Sequence, residues 1–310
     1  MNSKTLMYIL KRLLLAVLTV WIVITITFFA SRAIPGDPFA REGKALPPKA
    51  LAAMQEKFGL DKPIGEQYLN YLKGIVTDLD FGPSLKQNGR MVLDIIVDGM
   101  KTSVKLGVIA AAVATAFGVV LGSFAALRRN KVIDKVIMVI TTAFVSMPSF
   151  IVGTLLLLVF SEVLRWFPAY GATWKGLVLP VITLALYPMA YITRLTRSSM
   201  LDVLGQDYIR TARAKGVSPA KVIFGHALKN SLIPVITYLG PMLAYIVTGS
   251  LVVEQIFAVP GIGRAFVSSI QNRDYSLIMG TTVVLATLIV VMNLVSDILY
   301  KVVDPRINLE

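Results

Sequence analysis

Groups able to do covalent, metal or proton chemistry are scarce in this chain. It holds one histidine, His226, and no cysteine. That removes disulfides, zinc thiolates, iron–sulfur clusters and thiol nucleophiles, excludes a multi-histidine metal site, and leaves no good Ser–His–Asp arrangement. No G-x-x-x-x-G-K-[ST] loop is present to hold ATP, and no H-E-x-x-H or EF-hand loop. The embedded polar groups are Glu254, at the end of one apolar run, and Asp297, one turn from Asn293 near the end of another. Ionisable groups inside a membrane segment are functional candidates by default. Their place near the ends of their runs favours structural roles, because a proton relay takes carboxylates at greater depth. No cofactor is expected on this chain.

The elements that must position these groups are apolar. Of 310 residues, 55% are hydrophobic and 16% charged, against roughly 25% charged in soluble domains. Six uncharged runs, 13–31, 106–127, 136–161, 176–193, 230–253 and 275–296, approach or exceed the length of a span, which takes about 20 residues. Backbone polar groups in lipid must pair within their own segment, so the runs are read as helices. The expected fold is an all-α integral membrane protein with six transmembrane helices. The first run is longer than the roughly 7–15 residues of a signal-peptide core, so it is read as a retained anchor.

Charge sets orientation. Lys4, Lys11 and Arg12 precede the first run, and Arg128, Arg129, Lys131 and Lys135 fill the second-to-third loop. Arg194, Arg197, Arg210, Arg213, Lys215, Lys221 and Lys229 fill the fourth-to-fifth. The opposite short loops hold only Arg165, Lys175, Arg264 and Arg273. Positive loops stay inside, which puts both termini in the cytoplasm. The net charge of +13 thus reflects loops in a bilayer and points to no nucleic-acid partner.

Three parts follow along the chain: residues 1–31 (N-terminus and first helix), an extracytoplasmic insert over 32–100, and a core over 101–310 with a cytoplasmic loop at 198–231. In the insert, PGDP (35–38) and DFGPS (80–84) read as turns. A helix is expected from Pro48 with Leu51, Met54 and Phe58 on one face and Gly59 as its stop, and a second from Gly65 to Lys73 stopping at Gly74. Gly118-x-x-x-Gly122 reads as close helix packing, and Pro148, Pro180, Pro188, Pro234 and Pro241 as kinks. Between the last two runs, Pro260-Gly261 turns the chain. Gly263 follows, and Ile262, Phe266 and Ile270 recur at helical spacing, giving a short amphipathic helix. It is read either as an interfacial anchor or as part of an outer gate.

The loop DYIRTARAKGVSPAKVIFGHALKN (207–230) is more ordered than a topology signal requires. Tyr208, Ile209 and Ala212 share a helix face, ringed by Arg210, Arg213 and Lys215. Gly216 suits a left-handed stop, Ser218 an N-cap and Pro219 a first helical position. Val222, Ile223, His226, Ala227 and Asn230 then give a second buried face. The expectation is a rigid helix–glycine–helix elbow able to dock on a partner. Since the chain has no energy-converting site, the partner could supply one.

RTARAKGVSPAKVIFGHALKN resembles the cytoplasmic coupling motif of ABC importer permeases, usually Glu-Ala-Ala, three residues, then Gly. Ala212 and Gly216 match; Arg210 and Thr211 stand where Glu and Ala are usual. PGDPF, LPPKALAAMQEKFGLDKPI, DFGPSLK, YLGPMLAYIVTGSLVVEQIFAVPGIG, NRDYSL and DILYKVVDPRI, in this order, resemble the permeases of bacterial oligopeptide, dipeptide and nickel importers, nearest the oligopeptide B-type branch. The resemblance implies a non-catalytic subunit in the bacterial inner membrane that forms half of a translocation path. Its partners would be a second similar permease, two cytoplasmic ATPases that bind ATP and Mg, and an extracytoplasmic peptide-binding protein. Tyr208, Arg210, Thr211, Ala212, Lys215, Gly216, Ser218, His226 and Asn230 would form the ATPase-coupling loop, and Pro260, Gly261, Gly263 and Phe266 the outer mouth. A different class, an ion-driven secondary transporter, stands as the alternative.

Overall fold

The computed structural model describes residues 3–33, 39 and 47–303, without the side chains of 3–6, 8–9, 247–249 and 296–303. PGDP (35–38) lies outside the described residues, and so does the side chain of Asp297. Among the described residues every regular element is helical, and strand-like pairing is confined to one isolated bridge, Pro83 with Met91. The elements are α1 (Ser3–Ala33), α2 (Pro48–Lys57), α3 (Ile64–Asp78), α4 (Val92–Leu127), α5 (Val132–Ser146) and α6 (Ser149–Leu156). After them come α7 (Val178–Leu204), α8 (Asp207–Ala214), α9 (Pro219–Lys221), α10 (Lys229–Ser231), α11 (Ile233–Ile256), α12 (Ile262–Asn272) and α13 (Tyr275–Val303).

Among the described residues, four helical stretches are long and apolar enough to cross a membrane: Leu10–Ala33, Val92–Leu127, Lys175–Leu204 and Tyr275–Val295. Two bent pairs raise the number to as many as six. The expected straight run over 136–161 is one of them. It breaks between α5 and α6 with a bend of 105°. Pro148 has no N–H and pushes Met147 out of helical geometry, to φ −87 and ψ 127. The run over 230–253 is also divided: Pro219–Ser231 meets Ile233–Ile246 at 45°, and Pro234 sits in the first turn of α11.

The helices group into two compact units, Met1–Thr102 with Pro260–Val290, and Ser103–Val259 with Val291–Glu310. In the first, Phe28 of α1 packs edge-on against Tyr68 of α3, with ring centroids 5.1 Å apart, and Arg32 lies 3.5 Å over the Phe28 ring. Burial pushes the Tyr71 phenol up, beyond its ordinary range. The expected face of α2, Leu51, Met54 and Phe58, packs against Phe39, Leu85, Tyr275 and Ile278. Helix α3 runs past Gly74, where a stop was expected, and ends at Leu79, whose φ of 52 is left-handed. The chain closes there through Leu79 N–H to Ile75 O and Asp80 N–H to Gly74 O. Gly74 is therefore used for the close return of the chain, since a Cβ would lie 3.2 Å from Asp80 O.

In the second unit, Gly118 and Gly122 of α4 meet α7. A Cβ on Gly118 would lie 2.8 Å from Ile192, and one on Gly122 would lie 2.5 Å from Thr193 O. The small pair serves packing inside the chain, which is how its spacing read. Around this contact Leu106, Ala110, Ala114, Leu184, Met242 and Ile246 form the main core.

Candidate functional site: the 207–230 elbow and the 258–276 segment

Helix α7 stops at Leu204, and Gln206 is extended (φ −74, ψ 151), which turns the chain into α8. Asp207 opens α8, where a carboxylate suits the helix dipole. Its end is closed by Gly216 N–H to Arg213 O at 3.0 Å and Val217 N–H to Ala212 O at 3.2 Å. Gly216 has φ +76 with open space where a Cβ would go, so the demand on this position is purely conformational. Ser218 precedes Pro219 at the N-cap position, but its side chain makes no capping hydrogen bond. That part of the expectation is corrected: Pro219 supplies the fixed φ and Ser218 contributes its backbone carbonyl, which accepts from Val222 N–H at 3.0 Å.

The second leg is not a plain α-helix. From Val222 to Leu228 it widens into a π-turn, so the expected i, i+4 face is rotated. Val222 and Ala227 are buried, Ile223 and His226 are half-buried, and Asn230 is exposed, not on the buried face. Asn230 instead donates from Nδ2 to the Tyr208 hydroxyl at 2.8 Å. This bond ties the two legs of the elbow across 22 residues.

Ile209, Val222 and Ala227 pack with Met200 of α7 and Ala126 of α4, and Ala212, Val217 and Leu204 close around them. The apolar stripe is thus consumed in rooting the elbow on two helix ends. Thr211, Lys215 and the Arg210 side chain, 74% exposed, point outward, as does Phe224, 69% exposed. Beneath the root, Arg197 makes a two-pronged bond to Asp134, Nε to Oδ1 at 2.6 Å and Nη2 to Oδ2 at 2.8 Å. Asn130 N–H adds a third bond to that buried carboxylate at 2.9 Å. In the sequence Arg197 reads only as a topology charge, and Phe224 as an unremarked apolar residue. Charge balance would have suggested a partner for Asp134, but not which one.

In the 258–276 segment, Gly261 is extended and buried, and α12 begins at Ile262. A Cβ on Gly99 would lie 2.8 Å from Ile262 N, so α12 starts hard against α4. Pro260 is exposed, Gly263 is buried and Phe266 is half-buried. The expected face of Ile262, Phe266 and Ile270 is not a single buried face: Ile262, Gly263 and Ser269 are buried, whereas Ile270 is exposed. Asp274, which sequence reading passed over, sits at the joint between α12 and α13. Ser84 Oγ donates to its Oδ2, and the Leu85 and Leu277 N–H groups donate to its Oδ1 at 3.1 and 3.2 Å. It thereby joins the DFGPS turn to the NRDYS turn, two motifs that the sequence holds far apart.

Glu254 is wholly buried and accepts from Ser103 Oγ at 2.6 Å. Asn293 is exposed. Among the described residues no three His, Cys, Asp or Glu side chains gather as a metal site.

Residues 118–309 match the model of the binding-protein-dependent transport system inner membrane component, and residues 5–107 match that family's N-terminal membrane component. The dipeptide transport system permease protein DppB of Bacillus subtilis is 46% identical over 97% of this chain and 98% of its own length. The oligopeptide transport system permease protein OppB of Haemophilus influenzae is 43% identical, and that of Escherichia coli 42%, each over 97% of this chain and 99% of its own. Among solved structures, the MetNI methionine ABC transporter, inward facing, aligns with a TM-score of 0.54 at 14% identity, over 68% of this chain and 97% of that one.

Proposed function

The chain belongs to the family of binding-protein-dependent transport system inner membrane components, and on that premise we propose that it is the permease subunit of an ATP-driven importer of peptides. It crosses the bacterial inner membrane six times, with both termini in the cytoplasm and residues 32–100 outside. Four helices and two bent pairs of sufficient length and apolarity support this count. The chain itself is non-catalytic and holds no cofactor. It pairs with a second permease of the same kind, so that each forms half of the path. Two cytoplasmic ATPases bind ATP and Mg, and an extracytoplasmic binding protein delivers the peptide. Relatives over nearly the full length are named for dipeptides as well as oligopeptides; the resemblance of the LPPK and DFGPS stretches favours oligopeptides.

One observation carries the coupling mechanism: the elbow buries its apolar stripe in its own root and presents Phe224, Tyr208 and a ring of basic groups outward. A foot that is fixed behind and faceted in front can accept a push. Closure of the ATPase pair moves the elbow, and the Arg197–Asp134 clamp passes that displacement to α5 and α7. Tyr208, Arg210, Thr211, Ala212, Lys215, Gly216, Ser218, His226 and Asn230 make up this foot. Pro260, Gly261, Gly263 and Phe266 belong to the outer mouth. Glu254 serves packing at its own site.

The test is uptake of a labelled pentapeptide into vesicles that hold the complete complex. Accumulation with ATP and none without it is the expected result. Accumulation by this chain alone under an ion gradient would instead establish a secondary transporter.

A further inference from the structure

Two tyrosine pairs between α7 and α11 take no part in the elbow, the clamp or the 258–276 segment. Tyr187 stacks on Tyr245 with ring centroids 4.8 Å apart, and Tyr191 on Tyr238 at 4.3 Å, both tilted by 32°. The pairs join the middle of one span to the middle of another. Neither 178–193 nor 233–253 contains Asp, Glu, Lys or Arg. Tyr191 is 41% exposed and the other three rings are half-buried. Among the described residues the hydroxyls of Tyr187, Tyr191 and Tyr238 make no hydrogen bond.

The backbone beside the pairs is interrupted in step. Pro188 lies in α7 between Tyr187 and Tyr191, and Pro241 in α11 between Tyr238 and Tyr245. A proline has no N–H, so the carbonyls of Leu184 and Thr237 lack the donor that a regular helix supplies. Phenol hydroxyls and irregular backbone at mid-span are costly against hydrocarbon. They are tolerated where they meet protein or line a wet cavity. The break at Pro188 is buried within the chain, whereas the Tyr191 ring is open, and an open phenol at this depth suits a partner that exchanges hydrogen bonds.

We propose that Tyr187, Tyr191, Tyr238 and Tyr245 form a contact site for the main chain of a peptide in transit, an inference that rests on the peptide-importer reading. A phenol O–H donates to a peptide carbonyl, and a phenol oxygen accepts from a peptide N–H. The ring faces take up apolar side chains. With no fixed charge on either stretch, neither the ammonium end nor the carboxylate end of a peptide is held. The site thus reads what all peptides share and little of what distinguishes them.

The complete complex in vesicles tests this. A pentapeptide with a central benzoylphenylalanine is expected to photo-crosslink within 178–204 or 233–256 during ATP-driven uptake, and excess unlabelled peptide should abolish the crosslink. The double variant Tyr187→Phe, Tyr191→Phe keeps both rings. It is expected to raise the half-saturating peptide concentration about fivefold, the scale of one or two hydrogen bonds. Complex yield, peptide affinity of the binding protein and ATP hydrolysis without peptide should not move. Wild-type uptake with crosslinks elsewhere, or with unchanged half-saturation in the double variant, overturns the site and leaves the importer reading intact. Because the chain has no cysteine, Tyr191→Cys places a unique thiol in it. A crosslink from that thiol to the second permease at full uptake would show a subunit interface and overturn the site. A wild-type complex that takes up no peptide with ATP overturns both readings.

Discussion

The elbow and helix α12 are both short and amphipathic, and a glycine adjoins each, yet they spend their apolar residues differently. The elbow sinks Ile209, Val222 and Ala227 entirely into its root and offers charge, with Phe224, to the outside. Helix α12 buries Ile262 with two small residues, Gly263 and Ser269, and leaves Ile270 43% exposed. An apolar stripe alone does not say which way an amphipathic helix faces. What decides is the size of the residue that must pass closest to its neighbour. Small residues take the close side of α12, whereas the π-turn rotates the elbow's second leg so that Val222 and Ala227 point inward together.

The comparison predicts that the elbow's root is sensitive and the exposed face of α12 tolerant. The largest loss is expected for Arg197→Ala. It leaves the buried Asp134 carboxylate with a single backbone donor, at a cost of about 3–5 kcal/mol. The readout is the thermal unfolding of the detergent-solubilised chain. Partial recovery by adding Asp134→Asn would tie the loss to the orphaned charge, and no recovery would contradict it. Next comes Ile209→Ala, expected to cost about 2–4 kcal/mol through its cavity. ATP hydrolysis should outlast peptide uptake in that variant, since the foot loosens before it detaches.

At Gly216 a Cβ would meet no atom within 4 Å, so the cost expected for Gly216→Val is left-handed strain, on the order of 1–2 kcal/mol. Uptake should fall while membrane insertion persists. Gly216→Asn, which tolerates this conformation, should recover most of it; equal damage from both would point to sterics instead. Two changes should barely register in stability, within about 0.5 kcal/mol. Ser218→Ala removes no capping bond, and Ile270→Ser removes an exposed side chain. A loss near 1 kcal/mol at Ser218, the ordinary worth of a cap, would mean that the hydroxyl does cap this helix in solution.

Composition and periodicity alone determined that the chain is helical, apolar and built around several spans, because lipid leaves the backbone few ways to satisfy itself. The order of α8, glycine and α9 was legible for the same local reason: a left-handed glycine and a proline at a first helical position act within a few residues. What local signals could not carry was set by packing at a distance. The 105° bend between α5 and α6, the π-turn at Val222–Leu228, the passage of α3 through Gly74 and the exposure of Ile270 each depend on what stands opposite. The pairings of Arg197 with Asp134, of Ser84 with Asp274 and of Tyr208 with Asn230 belong to the same class. The chain names the groups that need partners, and only the folded arrangement decides which partner is near enough.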